Sequence, residues 1–579
     1  MNQCLHACVS LRDTALLKKK TLSFLIPGLL TLFWFSTTIT ATAGDKRPAI
    51  TTEANKIAEI TLTAKRKYTD PFNQVMLDAV FTDPSGKTFK VPGFWAGGNT
   101  WKIRYSSAVT GTHTFNTVCS EAGDKGLQGI KGSVTVNPYS GSNALYQHGA
   151  LKIASDKRHF AYGDGVPFFW LGDTWWMGLT KRLRYPEDVQ LLAADRIKKG
   201  FNVVQIIAGL YPDMPAFDPR GENEAGFPWE SEYKSVRPAY FDDADKKIFY
   251  LAEQGIVPCI VGAWGYHLPW LGVEKMKQHW RYLIARWGAL PVVWCAAGET
   301  TMPFYLSTKK KEDEEWLRKE WTNVIAYLKD TDPYKRIVST HAAHHDRSTR
   351  FSITRPELLD FDMHQSGHGN GPEKQAAQAL EAWHMQPVMP VMSGESRYEA
   401  LAIPKPLPAS APRQAFWAHT VNSGLAGHTY GANGIWQLNG IDQPYGNSPG
   451  GNNWGITPWN EAMNLPGSAQ IGAARAIIES VPQWNTFEPR PEGISNWSQK
   501  DTALFAVTAA GAGLAYLPSP GTIKLRLPKT GVKYTAYWFD PVTTKKLEQF
   551  ALVGDSAGDA TATSPTTQQD WVLVLWKDE

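Results

Sequence analysis

Cysteine is scarce in this chain. Five occur in 579 residues, and Cys4 and Cys8 fall in an N-terminal stretch with the marks of a secretory signal. The other three, Cys119, Cys259 and Cys295, are too few for a disulfide framework, and a buried thiol pair is expected of Cys259 and Cys295 rather than a bond. Charge is also thin: Lys, Arg, Asp and Glu make up 20% of the chain and leave a formal +4. Residues 1–43 hold four of the bases and one acid, so without them the charge is +1, and no basic field remains for nucleic acid or an anionic membrane. Beyond those residues no stretch approaches the roughly 20 apolar residues of a membrane span. No H-E-x-x-H is present, and no G-x-G-x-x-G follows the first strand of the central region, which argues against a dinucleotide fold. No cofactor is expected.

What is present begins with Lys18, Lys19 and Lys20 ahead of TLSFLIPGLLTLFWF and a small-residue ending in ATA at 41–43. That order predicts a signal peptide over 1–43, cleaved after Ala43, and a secreted or periplasmic protein. At this length about three domains are expected. From about 50 to 138 short alternating runs are separated by turn signals such as Asp-Pro-Ser-Gly at 83–86, which predicts an N-terminal Ig-like β-sandwich over 44–141. The pattern then changes to apolar strands alternating with amphipathic helices: FFWLGD, NVVQII, IVPCIV, PVVWCAA, RIVST, LLDFDMH, PVMPVMS and LAGHTYG. On the first helix Val189, Leu192, Ala193 and Ile197 form the expected buried face. Eight such units over 145–482 predict a closed (β/α)8 barrel. From 485 to the end ALFAV, TIKLRLP, YTAYWFDP and DWVLVLW return to a β pattern, a C-terminal β-sandwich. The fold class is therefore a multidomain chain, a central TIM barrel flanked by two β-sandwiches.

Barrel active sites gather at the C-terminal ends of the strands. The fourth run ends in Gly298-Glu299 and the seventh in Gly394-Glu395, two carboxylates of the kind that glycoside hydrolysis requires. Around them the other strand ends offer Asp173, Trp175, Trp264, His364, Gln365 and His368, then Arg397, Tyr398, Tyr430 and Trp436, as rings to stack on sugars and polar groups to bind hydroxyls. The second run leads to Tyr211 and Asp213, and Glu399 is a second nucleophile candidate. Many of the 24 Trp residues are expected in the core, and the rest suit such stacking. Two other readings stay open: a carbohydrate-binding barrel without catalysis, and a metal-dependent hydrolase using the imidazoles of THAAHHD (341, 344, 345) and HQSGH.

FFWLGDTWW, YLIARWGALPVVWCAAGE, DMHQSGH, PVMSGESRYE and GLAGHTYGANGIWQ, in this order, make residues 150–480 resemble the apiosidase-like family of glycoside hydrolases. The flanks resemble the β-sandwich often found ahead of that barrel and the terminal sandwich labelled a collagen-binding domain, whose label is historical. The resemblance implies a retaining two-carboxylate mechanism with Glu299 as acid/base and Glu395 as nucleophile. It also implies a plant- or algal-type glycan as substrate. One departure stands out: relatives commonly show Gly-Asp where this chain has Gly298-Glu299.

Overall fold

The computed structural model describes residues 48–495, 504–565 and 568–577. The expected signal peptide lies outside them. The N-terminal region is a seven-stranded sheet in the order Ala49–Glu53, Lys131–Asn137, Gly111–Cys119, Leu77–Thr82, Thr88–Trp95, Thr100–Tyr105, Ala58–Thr63. Thr88–Trp95 pairs with Leu77–Thr82 along its first half and with Thr100–Tyr105 near its end. The sheet thereby folds over one core that includes Leu77, Phe81, Ile103 and Val134. The turn read at Asp83 closes with Gly86 N donating to Asp83 O at 2.9 Å.

The central region is the barrel. Its strands are β1 (Trp170–Trp175), β2 (Val203–Ile207), β3 (Val257–Val261), β4 (Val293–Cys295), β5 (Val338–Ser339), β6 (Asp362–Gln365), β7 (Val391–Glu395) and β8 (Gly427–Tyr430). All neighbours are parallel, β1 pairs with both β2 and β8, and a bridge between His341 and Met363 closes the gap between β5 and β6. Every residue of β2 and β3 is buried, because helices cover one face and the barrel interior fills the other. The surrounding helices are α1 (Glu187–Lys198), α2 (Pro238–Glu253), α3 (Val273–Trp287), α4 (Lys310–Thr331), α5 (Pro372–His384), α6 (Ser410–Asn422) and α7 (Pro466–Glu479). A small sheet of Lys152–Ile153, Phe160–Ala161 and Pro167–Phe168 precedes β1, and Phe160 packs on Trp170 and Phe361.

One reading of the sequence needs correction here. Ile197 is 39% exposed, and the buried face of α1 runs Val189, Leu192, Ala193, Arg196. The i+7 place is taken by an arginine, which is buried because it has a carboxylate to meet inside. The tryptophans are chiefly core: Trp170, Trp175, Trp229, Trp280, Trp287, Trp294, Trp321 and Trp417 are wholly buried. Cys119, Cys259 and Cys295 are free and buried.

The C-terminal region is a six-stranded sheet, Glu488–Pro489, Leu504–Val507, Gly513–Leu517, Trp571–Lys577, Lys533–Asp540, Lys545–Val553, faced by the pair Thr522–Arg526 and Asp559–Thr563. Among the described residues no helix is long and apolar enough to cross a membrane.

Candidate active site

Two strand ends are shaped by glycines that cannot be replaced without a clash. A Cβ on Gly298 would lie 2.1 Å from the Trp264 ring, and one on Gly394 would lie 2.3 Å from Met363 Cγ. Past Gly298 the chain turns at Glu299, which takes φ +36°, a left-handed conformation that costs energy in a residue with a side chain. Neighbouring backbone pins it: Gly265 N donates to Gly298 O, Met302 N to Glu299 O, and Thr300 N to His341 O, at 2.7 to 3.0 Å. At β7 the register against β6 slips, His364 facing Ser393 and Gln365 facing Glu395. Gly394 is the extra residue of a β-bulge, and the bulge sets Glu395 beside Gln365.

The two glutamates meet on that glutamine. Gln365 Nε2 donates to Glu395 Oε1 at 3.0 Å and to Glu299 Oε1 at 3.3 Å. His368 Nε2 lies 2.9 Å from Glu395 Oε1, and His368 Nδ1 lies 2.5 Å from the Ser396 carbonyl. A carbonyl and a carboxylate both accept, so both ring nitrogens carry protons and His368 is an imidazolium here. Burial opposes that charge, but the hydrogen bond and charge of Glu395 raise the imidazole above its usual value.

The two carboxyls are driven apart. Burial pushes Glu299 up, and the negative charge of Glu395 pushes it further, while the Gln365 hydrogen bond only partly offsets them. Burial would raise Glu395 as well, but the hydrogen bond and charge of His368, with help from His341 and Gln365, hold it well below the usual carboxylate range. One carboxyl is kept as an acid and its neighbour as an anion, the division of labour that paired catalytic carboxyls need.

Other groups converge on the same place. The Tyr398 hydroxyl is 3.4 Å from Thr174 Oγ1, its ring is 4.7 Å from the His368 ring, and burial and the Glu395 charge keep it protonated. His341 Nδ1 bonds the Ala342 carbonyl while its Nε2 faces Glu395 Oε2 at 3.5 Å. Trp264 packs against the His341 and Trp176 rings. Gln365 Oε1, Ser366 Oγ and Trp264 Nε1 are buried without a hydrogen-bond partner among the described residues, and His341 Nε2 has only its approach to Glu395.

Asp213 belongs to this group as well. Its carboxylate accepts from the Tyr305 hydroxyl and is also bonded by the Trp454 side chain. Burial pushes it up to about 6, the Tyr305 bond pulls against this, and the charge of Glu395 adds to the rise. The sequence placed Asp213 on the rim but offered no reason to prefer it. Tyr305 and Trp454 lie in loops after β4 and β8 and carried no sequence signal at all.

Several expected ligand contacts are occupied by the protein instead. Asp173 is fully buried, its Oδ2 accepting from Arg196 Nε at 2.5 Å and from Trp175 Nε1 at 2.8 Å, with Trp175 itself in the core. His364 Nδ1 is 3.0 Å from His419 Nε2, behind the strands. The Tyr430 hydroxyl donates to Glu399 Oε2 at 2.6 Å, and Gly467 N donates to the same oxygen at 3.0 Å, so Glu399 is bound into the wall. Trp436 packs edge to face on Tyr445, and Arg397 is half-buried with its Nε unpartnered among the described residues. Of the rim histidines, His341 and His368 stay on Glu395, while His345 goes to Thr301 and His364 to His419. Among the described residues no three His, Cys, Asp or Glu side chains group as metal ligands would. A G-x-S-x-G does occur, GNSPG at 446–450, but it lies in a loop where Ser448 Oγ accepts from Asn452 N, not at a strand-to-helix turn.

The catalytic-domain model of the apiosidase-like family matches residues 154–485. The chain belongs to the apiosidase-like family. As a member it is a glycoside hydrolase, and the barrel with Glu299 and Glu395 is the part that matches. A domain of unknown function, DUF5060, matches residues 51–120 in the N-terminal sheet. No curated protein matches the chain. Among solved structures it is similar to a proposed glycoside hydrolase from Bacteroides vulgatus, at 17% identity and a TM-score of 0.68, over 91% of this chain and 100% of that one. It is also similar to a glycoside hydrolase family 5 protein from the same organism, at 20% identity and a TM-score of 0.60, over 74% of this chain and 93% of that one. At such identities these structures speak for the fold, including the arrangement of barrel and flanking sheets.

Proposed function

We propose that this apiosidase-like glycosidase is exported and cleaves a plant- or algal-type glycan with retention of anomeric configuration. Glu299 protonates the leaving oxygen, and Glu395 attacks the anomeric carbon to form a glycosyl ester. Water, deprotonated by the then ionised Glu299, breaks that ester and restores both carboxyls. The observation that carries this reading is the shared amide of Gln365. Two oxygens bonded to one nitrogen, at 3.3 and 3.0 Å, can be no farther apart than those two bonds laid end to end. That favours the about 5–5.5 Å carboxyl spacing of retaining enzymes over the about 6.5–9.5 Å that seats a water in inverting ones. The buried atoms of Ser366 and Trp264 that lack a hydrogen bond among the described residues support the reading, since sugar hydroxyls would satisfy them. Export is supported by the Lys18–Lys20 cluster, the apolar run after it and the ATA ending. A glycan outside the cell is the substrate such export serves.

The test is turnover on a panel of plant and algal glycans and aryl glycosides, apiosides included because of the family. Glu299→Gln should lower kcat by about 10²–10⁴-fold on natural glycosides and far less on aryl glycosides whose leaving group needs no proton. Glu395→Gln should abolish turnover on both. Unchanged hydrolysis by Glu395→Gln would refute the assignment, and NMR of the first-formed anomer decides retention.

A further inference from the structure

The loop after β2 is buried through Met214 and tightly held. Four consecutive carbonyls, those of Tyr211 to Met214, each accept a side-chain hydrogen bond. His267 Nε2 donates to the Tyr211 carbonyl at 2.9 Å, Tyr266 Oη to Met214 at 3.0 Å, Tyr445 Oη to Pro212 at 2.8 Å, and Arg220 Nη2 to Asp213 at 3.2 Å. Tyr266 comes from the loop after β3 and Tyr445 from the loop after β8. The result is a residue with φ +56°, Asp213, fixed in a conformation that side chains disfavour. Such fixing delivers the carboxylate between Tyr305 and Trp454, both half-buried, and Asp213 is as accessible as Glu395, 6% each.

Two carboxylates that serve only the wall are met by a cation or a backbone amide, Asp173 by Arg196 and Glu399 by Gly467 N beside Tyr430. Asp213 has no ion pair among the described residues: Arg220 takes its carbonyl, and the groups on its carboxylate are a phenol and an indole. Those two neutral donors leave acceptor positions on the oxygens free. Asp213 lies close enough to the glutamate pair for the charge of Glu395 to act on it and for its own charge to act on Glu299. An anion flanked by two aromatic side chains is how a protein holds a polyhydroxylated ring, by stacking on its faces and accepting from its edge.

We propose that Asp213 is a substrate-binding carboxylate that accepts a hydroxyl of the bound sugar between Tyr305 and Trp454. It is a specificity determinant, because a site built to bond one hydroxyl rejects the sugar that lacks it. The ligand class is a neutral sugar with a hydroxyl turned towards Asp213. The inference rests on the glycosidase reading for the identity of the ligand and not for Asp213's surroundings.

Binding tests it without turnover. The full chain, as wild type, Asp213→Asn and Tyr305→Phe, is titrated with D-apiose, D-xylose, L-arabinose and D-galactose while tryptophan fluorescence is followed. At least one sugar should saturate the wild type, and Asp213→Asn should weaken it about 10- to 100-fold, the worth of one hydrogen bond to a charged group. Among the monodeoxy derivatives of that sugar, one should bind wild type and Asp213→Asn within about 3-fold of each other, because its missing hydroxyl is the partner. Tyr305→Phe keeps the ring and should weaken binding less than Asp213→Asn. Absence of saturable binding by all four sugars would overturn the proposal. So would wild-type affinity in Asp213→Asn, or an equal loss on every deoxy derivative, which would mark a structural role. Turnover by Glu395→Gln is a separate measurement, so the catalytic assignment and the role of Asp213 fail independently.

Discussion

Glu299 and Glu395 carry the same carboxyl group, and one imidazole does most to set them apart. His368 donates to Glu395 and not to Glu299, so the charge it carries lowers one far more than the other. Replacing His368 with Gln keeps a donor and removes the positive charge. The carboxyl of Glu395 then rises towards the ordinary range, and the acid limb of the kcat/KM profile, which marks its protonation, moves to higher pH. Glu299 loses a nearby cation that had helped to hold its proton affinity down, so the alkaline limb moves up as well. Between pH 4 and 10 the expected outcome is an acid limb that enters the kcat/KM profile from below pH 4, where the wild type keeps it, and an alkaline limb that moves up. An acid limb that stays in place would show that His368 does not set the state of Glu395.

The same pair of carboxyls depends, at the level of the element, on how β4 and β7 end. Gly394 makes the bulge, and a methyl group there would meet Met363 of β6 at 2.3 Å. Gly394→Ala must push the strands apart or undo the bulge. Overpacking of this kind costs about 1–3 kcal/mol. Because a bulge re-aims the residue that follows it, activity should fall by far more than stability. The check is kcat beside the thermal midpoint, and a variant with normal kcat would show that the bulge does not place Glu395. The bulge also marks the boundary of what could be read from the chain. The apolar runs announced eight buried parallel strands, because strands covered on both faces have little use for polar residues. Their ends were legible where the run stopped at a glycine and an acid, at Glu299 and Glu395. They were illegible where apolar residues ran on past the strand: LLDFDMH begins at 358, yet β6 starts at Asp362, with Leu358 in a turn of 3-10 helix. Asp173 and Asp213 show the same limit for the site. Each sits at or just beyond the end of an apolar strand, and only the fold reveals that Arg196, coming from α1, claims the first and leaves the second to the cleft.

Across the whole molecule the barrel is tied to both flanking sheets by buried ion pairs, each built around an arginine. On the N-terminal side Arg104 Nη2 reaches Asp245 of α2 at 2.6 Å, and Nε reaches Glu59 at 2.9 Å. Burial opposes the charge of Asp245, but Arg104 and Arg286 together hold its carboxyl far below the usual range, so this junction keeps its pairing into mild acid. On the C-terminal side Arg413 of α6 grips Asp570 through Nε and Nη2 at 2.7 to 3.2 Å, and Tyr516 Oη donates to the same carboxylate at 3.0 Å. Arg413 Nη1 donates to Gln470 Oε1 at 2.7 Å, and Gln470 Nε2 reaches the Val542 carbonyl at 3.2 Å, so one arginine links α6, α7 and the terminal sheet. Trp417 stacks on Tyr516 at 6.0 Å beside it. Arg413 is 6% exposed and Asp570 2%, which removes water as a substitute partner if either is lost. Arg413→Ala should therefore cost about 3–5 kcal/mol by stranding Asp570. The double variant Arg413→Met/Asp570→Leu strands no charge and should recover most of that loss, since apolar packing of similar volume often equals a buried pair. Thermal unfolding of the three proteins separates two ideas of what holds the terminal sheet to the barrel. Recovery in the double variant means that the junction rests on packing around Trp417 and Tyr516, with the ion pair fixing its register. A double variant as unstable as Arg413→Ala would mean that the pair itself supplies the attraction, and the terminal sheet would then be expected to loosen wherever that charge is screened.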